Sequence, residues 1–165
     1  MKIASRLVLF AILAGLGFWL WTVFFPSPEK IVLKKIADLA VTATISAADG
    51  NITRAAKASN VVGDFSTDAE IVFDISGVGA RTLSGRDEIR ESAMGGFANV
   101  PSMKVRFLDA TAKVGADKQT AEVNCTARVN VGDNRDFGIQ ELRFQFKKID
   151  GDWLITRAET VKTLQ

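Results

Sequence analysis

The sequence predicts an α+β domain, with helices packed on one face of a curved antiparallel sheet, carried behind a single transmembrane helix. Three observations lead there. A charge-free apolar run opens the chain, from Leu7 to Phe25. Apolar residues then recur at three- and four-residue spacing, which is helical. From Met103 onward they alternate with polar residues at period two, which is the signature of strands with one wet face. At 165 residues the chain has room for one domain.

The opening run is "LVLFAILAGLGFWLWTVFF", 19 residues in which Thr22 is the one polar side chain. At about 1.5 Å rise per residue it makes a helix of roughly 28 Å, which matches a hydrocarbon core of about 30 Å. A cleaved signal peptide is the rival reading. The run is longer than a usual signal core of about 7–15 residues, and "FFPSPEK" offers no small-x-small cleavage pattern. Trp19 and Trp21 sit where indole rings favour the headgroup zone. Ala11 and Gly15 form a small-xxx-small pair, with Gly17 close by, and are the candidate packing face for another membrane helix. Lys2 and Arg6 precede the run, and Lys30, Lys34 and Lys35 follow it. Charge alone does not orient it. A very short basic tail ahead of a large C-terminal domain favours the tail inside and the domain outside. That is the periplasmic side of a bacterial inner membrane.

Pro26 and Pro28 stop the first helix. Ser27 and Pro28 read as N-cap and first turn of a second one. It carries Ile31, Ile36, Leu39, Ala40, Ala43 and Ala47, and ends near Asp49, Gly50 and Asn51. The linker, residues 26–29, is almost absent, so the domain from residue 30 to 165 lies close to the bilayer. A shorter helix covers Ile52 to about Asn60. "AEIVFDI", Ala69 to Ile75, is a strand, and "SGVGA" is a turn. In "TLSGRDEIRESAMGGF", Ser84 and Asp87 have capping-box spacing, with Ser84 as the expected cap. Asp87 and Glu88 favour the positive end of the helix dipole. Ile89, Ala93 and Phe97 share one face, and Gly95 and Gly96 are expected to stop the helix.

The remainder is an antiparallel meander. "MKVRF" aligns Met103, Val105 and Phe107. "TAEVNCTARVNV" aligns Ala121, Val123, Cys125, Ala127, Val129 and Val131. "ELRFQF" aligns Leu142, Phe144 and Phe146. "DWLITRAETV" alternates Trp153, Ile155, Arg157, Glu159 and Val161. The turns are "GADK", "GDNR" and "DGD".

The order of these elements, with "GRDEI" (Gly85 to Ile89) opening a helix and Asp150, Gly151, Trp153 and Ile155 as a "DG-W-I" ending, resembles the nuclear transport factor 2-like superfamily, in its SnoaL-like branch. The likeness covers Glu29 to Thr163. It implies a cystatin-like cone: a strongly bent sheet around about three helices, with a pocket at the open end. Members include isomerases, dehydratases, epoxide hydrolases and cyclases, and many that only bind or dimerise, so fold alone transfers no function. A homodimer through the sheet is implied by the same resemblance.

Composition removes much of the family's chemistry. The chain has no His and no Tyr. That excludes the commonest general base, Ser/His and Cys/His nucleophile pairs, and the oxyanion Tyr of the ketosteroid isomerase-like members. The Asp–Arg–Asp set of the epoxide hydrolases has one match, Arg157, with Glu159 beside it and Asp74 out of phase on a distant strand. Lys2 and Arg6 account for the whole net charge of +2, so residues 29–165 are neutral. A neutral domain lacks the clustered cations that nucleic acid needs. Cys125 lies among apolar neighbours and reads as an inert thiol. No phosphate loop, metal cluster or cofactor motif is present.

Two functions follow as expectations. The first is a non-catalytic accessory or assembly subunit of a membrane complex. It would hold the lipid bilayer and other membrane-protein subunits through its transmembrane helix and outer sheet face. The second is a membrane-tethered small-molecule carrier or enzyme with an apolar pocket of Trp153, Phe144 and Phe146. Arg157 and Glu159 would be its polar groups, placed on the face of Trp153 and Ile155. An empty, deep pocket lined by Arg157 and Glu159 favours the second, and one filled by large side chains the first.

Overall fold

A computed structural model describes residues 15–16, 27–75, 79–132 and 138–161. Of the expected membrane helix, Gly15 and Leu16 are described; they are helical and exposed. Ala11, Gly17, Trp19 and Trp21 lie outside the described residues. Among the described residues, no helix is long and apolar enough to cross a membrane.

Helix α1 spans Pro28–Ala43 with Ser27 as N-cap and proline in the first turn, as expected. Its buried stripe is Val32, Ile36, Leu39 and Ala40. It ends at Ala43, six residues before Asp49. The reason is a competing pairing. Ile45 bonds Met103 through both backbone groups, N–H to O at 2.6 Å and 2.8 Å, and is 2% exposed. The Thr44 hydroxyl donates back to the Ala40 carbonyl at 2.9 Å, satisfying a carbonyl that the helix end leaves open. Helix α2 follows at Asn51–Gly63, with Ala58 and Val62 buried.

The strands are β1 (Phe65–Ile75), β2 (Gly79–Ser84), β3 (Met103–Val114), β4 (Thr120–Val131), β5 (Gly138–Ile149) and β6 (Asp152–Val161), with helix α3 (Arg86–Asn99) between β2 and β3. They form one sheet in the order β2-β1-β6-β5-β4-β3. The expected meander is present in β3 to β6, antiparallel throughout. Strand β1 departs from it, because it joins β6 in parallel. Strand β2 was not foreseen: "GARTLS" has no apolar alternation, and it is an edge with largely exposed side chains. The β5–β6 turn has positive φ at Asp150 (52°) and Gly151 (94°), the geometry an Asp-Gly hairpin favours. Register shifts interrupt the β1/β6, β3/β4 and β5/β6 pairings. Such bulges bend strands and curl a sheet around its helices.

The helix-opening motif is built differently from the expectation. Ser84 is the last residue of β2, and Gly85 is the N-cap. Its φ of 84° with ψ of 152° is a region open essentially to glycine. The Gly85 N–H reaches the Ala69 carbonyl at 2.8 Å. Half of the box survives one residue displaced, since Glu88 accepts from the Ser84 N–H at 2.7 Å. Arg86 donates through Nε to the Phe65 carbonyl at 2.9 Å and fixes α3 to β1. Gly95 and Gly96 do not stop α3, which runs on to Asn99; Ile89 and Phe97 are buried as expected.

The main core joins α1, α2 and α3 to the concave sheet face: Val32, Ile36, Val62, Phe65, Ile89, Val123, Phe144, Phe146, Trp153 and Ile155. Phe107 meets Phe144 edge-on at 5.5 Å between ring centres.

Candidate functional site: an apolar cavity in the cone

Two adjoining cavities lie between the helices and the concave face of the sheet. The first, about 270 Å³, is lined by Leu39 and Ala43 of α1, Val61 of α2, Phe65, Ile71 and Phe73 of β1, Phe107 of β3, Leu142 and Phe144 of β5, and Ala158 and Thr160 of β6. The second, about 250 Å³, is lined by Leu83, Ile89, Ser92, Ala93, Gly96, Phe97, Val100 and Met103. Val61, Phe65 and Ile71 line both and form the partition. The walls are almost wholly carbon. Each lobe approaches the lower end of ligand pockets, about 300 Å³.

Large side chains converge elsewhere in the core. Trp153 and Phe146 are 3% and 2% exposed and pack in the main core with Ile155 and Val32. They do not line either lobe. Of the expected pocket residues, Phe144 and Glu159 are among those that line the first lobe.

Arg157 and Glu159 were expected on the face of Trp153 and Ile155. The structure corrects this. Gln145 pairs with Arg157, whereas Phe146 pairs with Ile155, so Thr156 is an extra residue on β6. The bulge reverses the phase. Ala158, not Arg157, follows Ile155 inward, and is 6% exposed. Arg157 and Glu159 therefore stand on the outer face. There Arg157 bonds Glu159 at 2.9 Å and Glu70 at 2.5 Å. Arg143, which flanks buried Phe144 on β5, reaches Glu159 at 3.3 Å and Glu122 at 3.8 Å. The hydrogen bond to Glu159 raises the Arg157 guanidinium's pKa above its ordinary value. Glu159 is itself among the residues lining the first lobe, but its carboxylate is held by these two arginines on the outer face. A general base acting inside the cavity is thus missing among the described residues.

Cys125 is buried on the concave face, and burial pushes its thiol up to about 11. It stays protonated at neutral pH and is a poor nucleophile. Among the described residues no group of His, Cys, Asp and Glu is placed to hold a metal.

Sequence reasoning missed Arg54. Its guanidinium donates to the carbonyls of Ser46, Asp49 (2.9 Å), Phe97 (2.8 Å), Val100 and Pro101 (2.9 Å). It ties the α1–α2 loop to the end of α3, whose Phe97 and Val100 wall the second lobe. Beside it, Lys57 bonds Asp49 at 2.6 Å and holds that carboxyl below its usual range.

The fold recurs in solved structures. A Mycobacterium tuberculosis protein of unknown function aligns with a TM-score of 0.61 at 19% identity, covering 81% of this chain and 72% of that one. A Novosphingobium aromaticivorans protein described as nuclear transport factor 2-like with a cystatin-like fold gives 0.61 at 18%, covering 96% and 86%. A Nostoc punctiforme protein of unknown function with a cystatin-like fold gives 0.59 at 14%, covering 78% and 86%. At these identities the likeness concerns fold alone. Among curated proteins no sequence match was found. The model of the SnoaL-like domain matches residues 51–159, more than half of the sequence, and the chain belongs to that family.

Proposed function

We propose that this domain is a non-catalytic binding module for a small hydrophobic molecule, held at the membrane by the apolar run of residues 7–25. The observation that carries the reading is the open, carbon-lined cavity with its ionisable neighbours turned outward. An apolar pocket without an acid or base can hold a ligand and shield it from water. It has nothing with which to move a proton. The tether fits a ligand that the bilayer supplies. In this reading the domain faces the periplasm of a bacterial inner membrane, and no cofactor takes part.

The test uses the full chain in lipid nanodiscs and the neutral dye N-phenyl-1-naphthylamine. Fluorescence above that of empty nanodiscs is expected to saturate. Ala43→Phe, which fills the first lobe, is expected to weaken binding on the order of tenfold or more by removing buried apolar contact. Unchanged binding in a variant that circular dichroism shows to be folded overturns the reading.

A second reading, the accessory or assembly subunit, is favoured by the outer sheet face. Glu70, Arg157, Glu159, Arg143 and Glu122 form a continuous charged band across β1, β6, β5 and β4 there. Such a band suits a polar partner surface, including a second copy of the chain. Ala11, Gly15 and Gly17 would supply the contact within the bilayer. Ala11→Leu with Gly15→Leu should then release co-purifying subunits and leave dye binding intact.

A further inference from the structure

Building on the binding reading, we infer that the ligand is an unbranched hydrocarbon chain, bent across Val61, Phe65 and Ile71 so that it occupies both lobes. Three features point to this class. First, the lining offers almost no polar partner. The polar side chains are the hydroxyls of Thr160 in one lobe and Ser92 in the other, and Glu159, whose carboxylate Arg143 and Arg157 already occupy. A ligand carrying buried hydroxyls or carbonyls would leave them unpaired, which weakens binding about tenfold or more. A hydrocarbon carries no such penalty.

Second, the space is divided rather than round. Two lobes of about 270 and 250 Å³ share three side chains as a partition. A rigid ring system fills one lobe and stops there. A chain with rotatable bonds passes the partition and fills both. Third, the second lobe opens along α3. Ser92 and Gly96 on that wall are exposed, and a Cβ at Gly96 would meet no atom within 4 Å, so a long chain can enter at that rim. The chain is supplied by the bilayer, because only Pro26 and Ser27 separate the apolar run from α1. Moving a methylene from lipid to this cavity exchanges one hydrocarbon setting for another, so entry carries little hydrophobic penalty.

Both a free long-chain alcohol and the acyl chain of a phospholipid present this chemistry. The experiment separates them. The full chain is reconstituted in phosphatidylcholine vesicles with one of three photoactivatable probes: hexadecanol with a terminal diazirine, phosphatidylcholine with the diazirine at an acyl terminus, or a diazirine-bearing resorcinol as a compact polar ring. Labelled residues are mapped by peptide mass spectrometry. At least one chain probe is expected to label both the Leu39/Leu142 side and the Ser92/Ala93 side, and whichever does so names the source. Gly96→Leu should cut labelling at Ser92/Ala93 severalfold and spare Leu39/Leu142. Leucine is the better helix former, so this variant is expected to keep its fold. If the resorcinol labels the cavity and neither chain does, the chain inference falls while the binding reading stands. If neither class of probe labels the cavity, or label is confined to residues 7–25, both fall. Unchanged labelling in Gly96→Leu also overturns the inference.

Discussion

Arg54→Met removes the guanidinium and keeps an apolar stem. Five backbone carbonyls, those of Ser46, Asp49, Phe97, Val100 and Pro101, lose a charged donor at once. Hydrogen bonds to charged groups contribute about 1.5–3 kcal/mol each when well shielded. Arg54 is only half-buried, and water can replace part of what is lost. A total near 3 kcal/mol is therefore the expected cost, and for a domain of this size it lowers Tm by about 10 °C. Arg54→Lys should recover only part of the loss, because one ammonium cannot reproduce a planar fork that reaches two loops. Thermal unfolding of the full chain, followed by circular dichroism, provides the measurement. The same variant should loosen the second lobe, since Phe97 and Val100 are both carbonyl acceptors and lining residues. Dye or chain occupancy there should fall more than in the first lobe. A Tm within about 2 °C of the parent would refute the view that Arg54 joins the two loops. So would a lysine variant as stable as the parent.

Two further outcomes follow from the titratable groups. At pH 8 native Cys125 should resist iodoacetamide and react once the chain is unfolded, because a thiol near 11 is only about one part in a thousand thiolate there. Its folded pKa lies above the ordinary 9.0, so the associated stability is present below pH 9.0 and is lost as pH rises through about 11; Cys125→Ala should flatten that part of the stability profile. Glu159→Gln breaks half-exposed pairs on the outer face, with side chains 22–38% exposed. It should cost no more than about 1 kcal/mol, less in high salt, and leave hydrophobe binding unchanged. Lost binding in a folded Glu159→Gln variant would put Glu159 back among the cavity's working groups.

The readable and unreadable parts of the sequence divide along a physical line. Strands β4 and β6 were legible to their end residues, because β4 alternates without a break between two turns and β6 is a run rich in strand-forming residues that starts at the Asp-Gly turn. Helix α1 was legible at its start, where Ser27 and Pro28 act locally. It was not legible at its end, because Ile45 leaves the helix for a partner at Met103, 58 positions away. The glycines at 95 and 96 misled for a related reason. Their weak helix propensity is overridden by burial of Ile89 and Phe97 on either side of them. The costliest error lay in β6, where continuing period two past Ile155 carried Arg157 and Glu159 inward. A cue was present in the residues. Inward alternation would have buried two charged side chains and exposed Ala158. One extra residue at Thr156 buries the alanine and leaves both charges on the face that already holds Glu70, Arg143 and Glu122. Desolvating an ion costs far more than inserting a bulge, so the bulge was the cheaper solution. That shift of one residue also leaves the cavity, among the described residues, without an acid or base turned inward, and it weighs the expected carrier or enzyme toward a carrier.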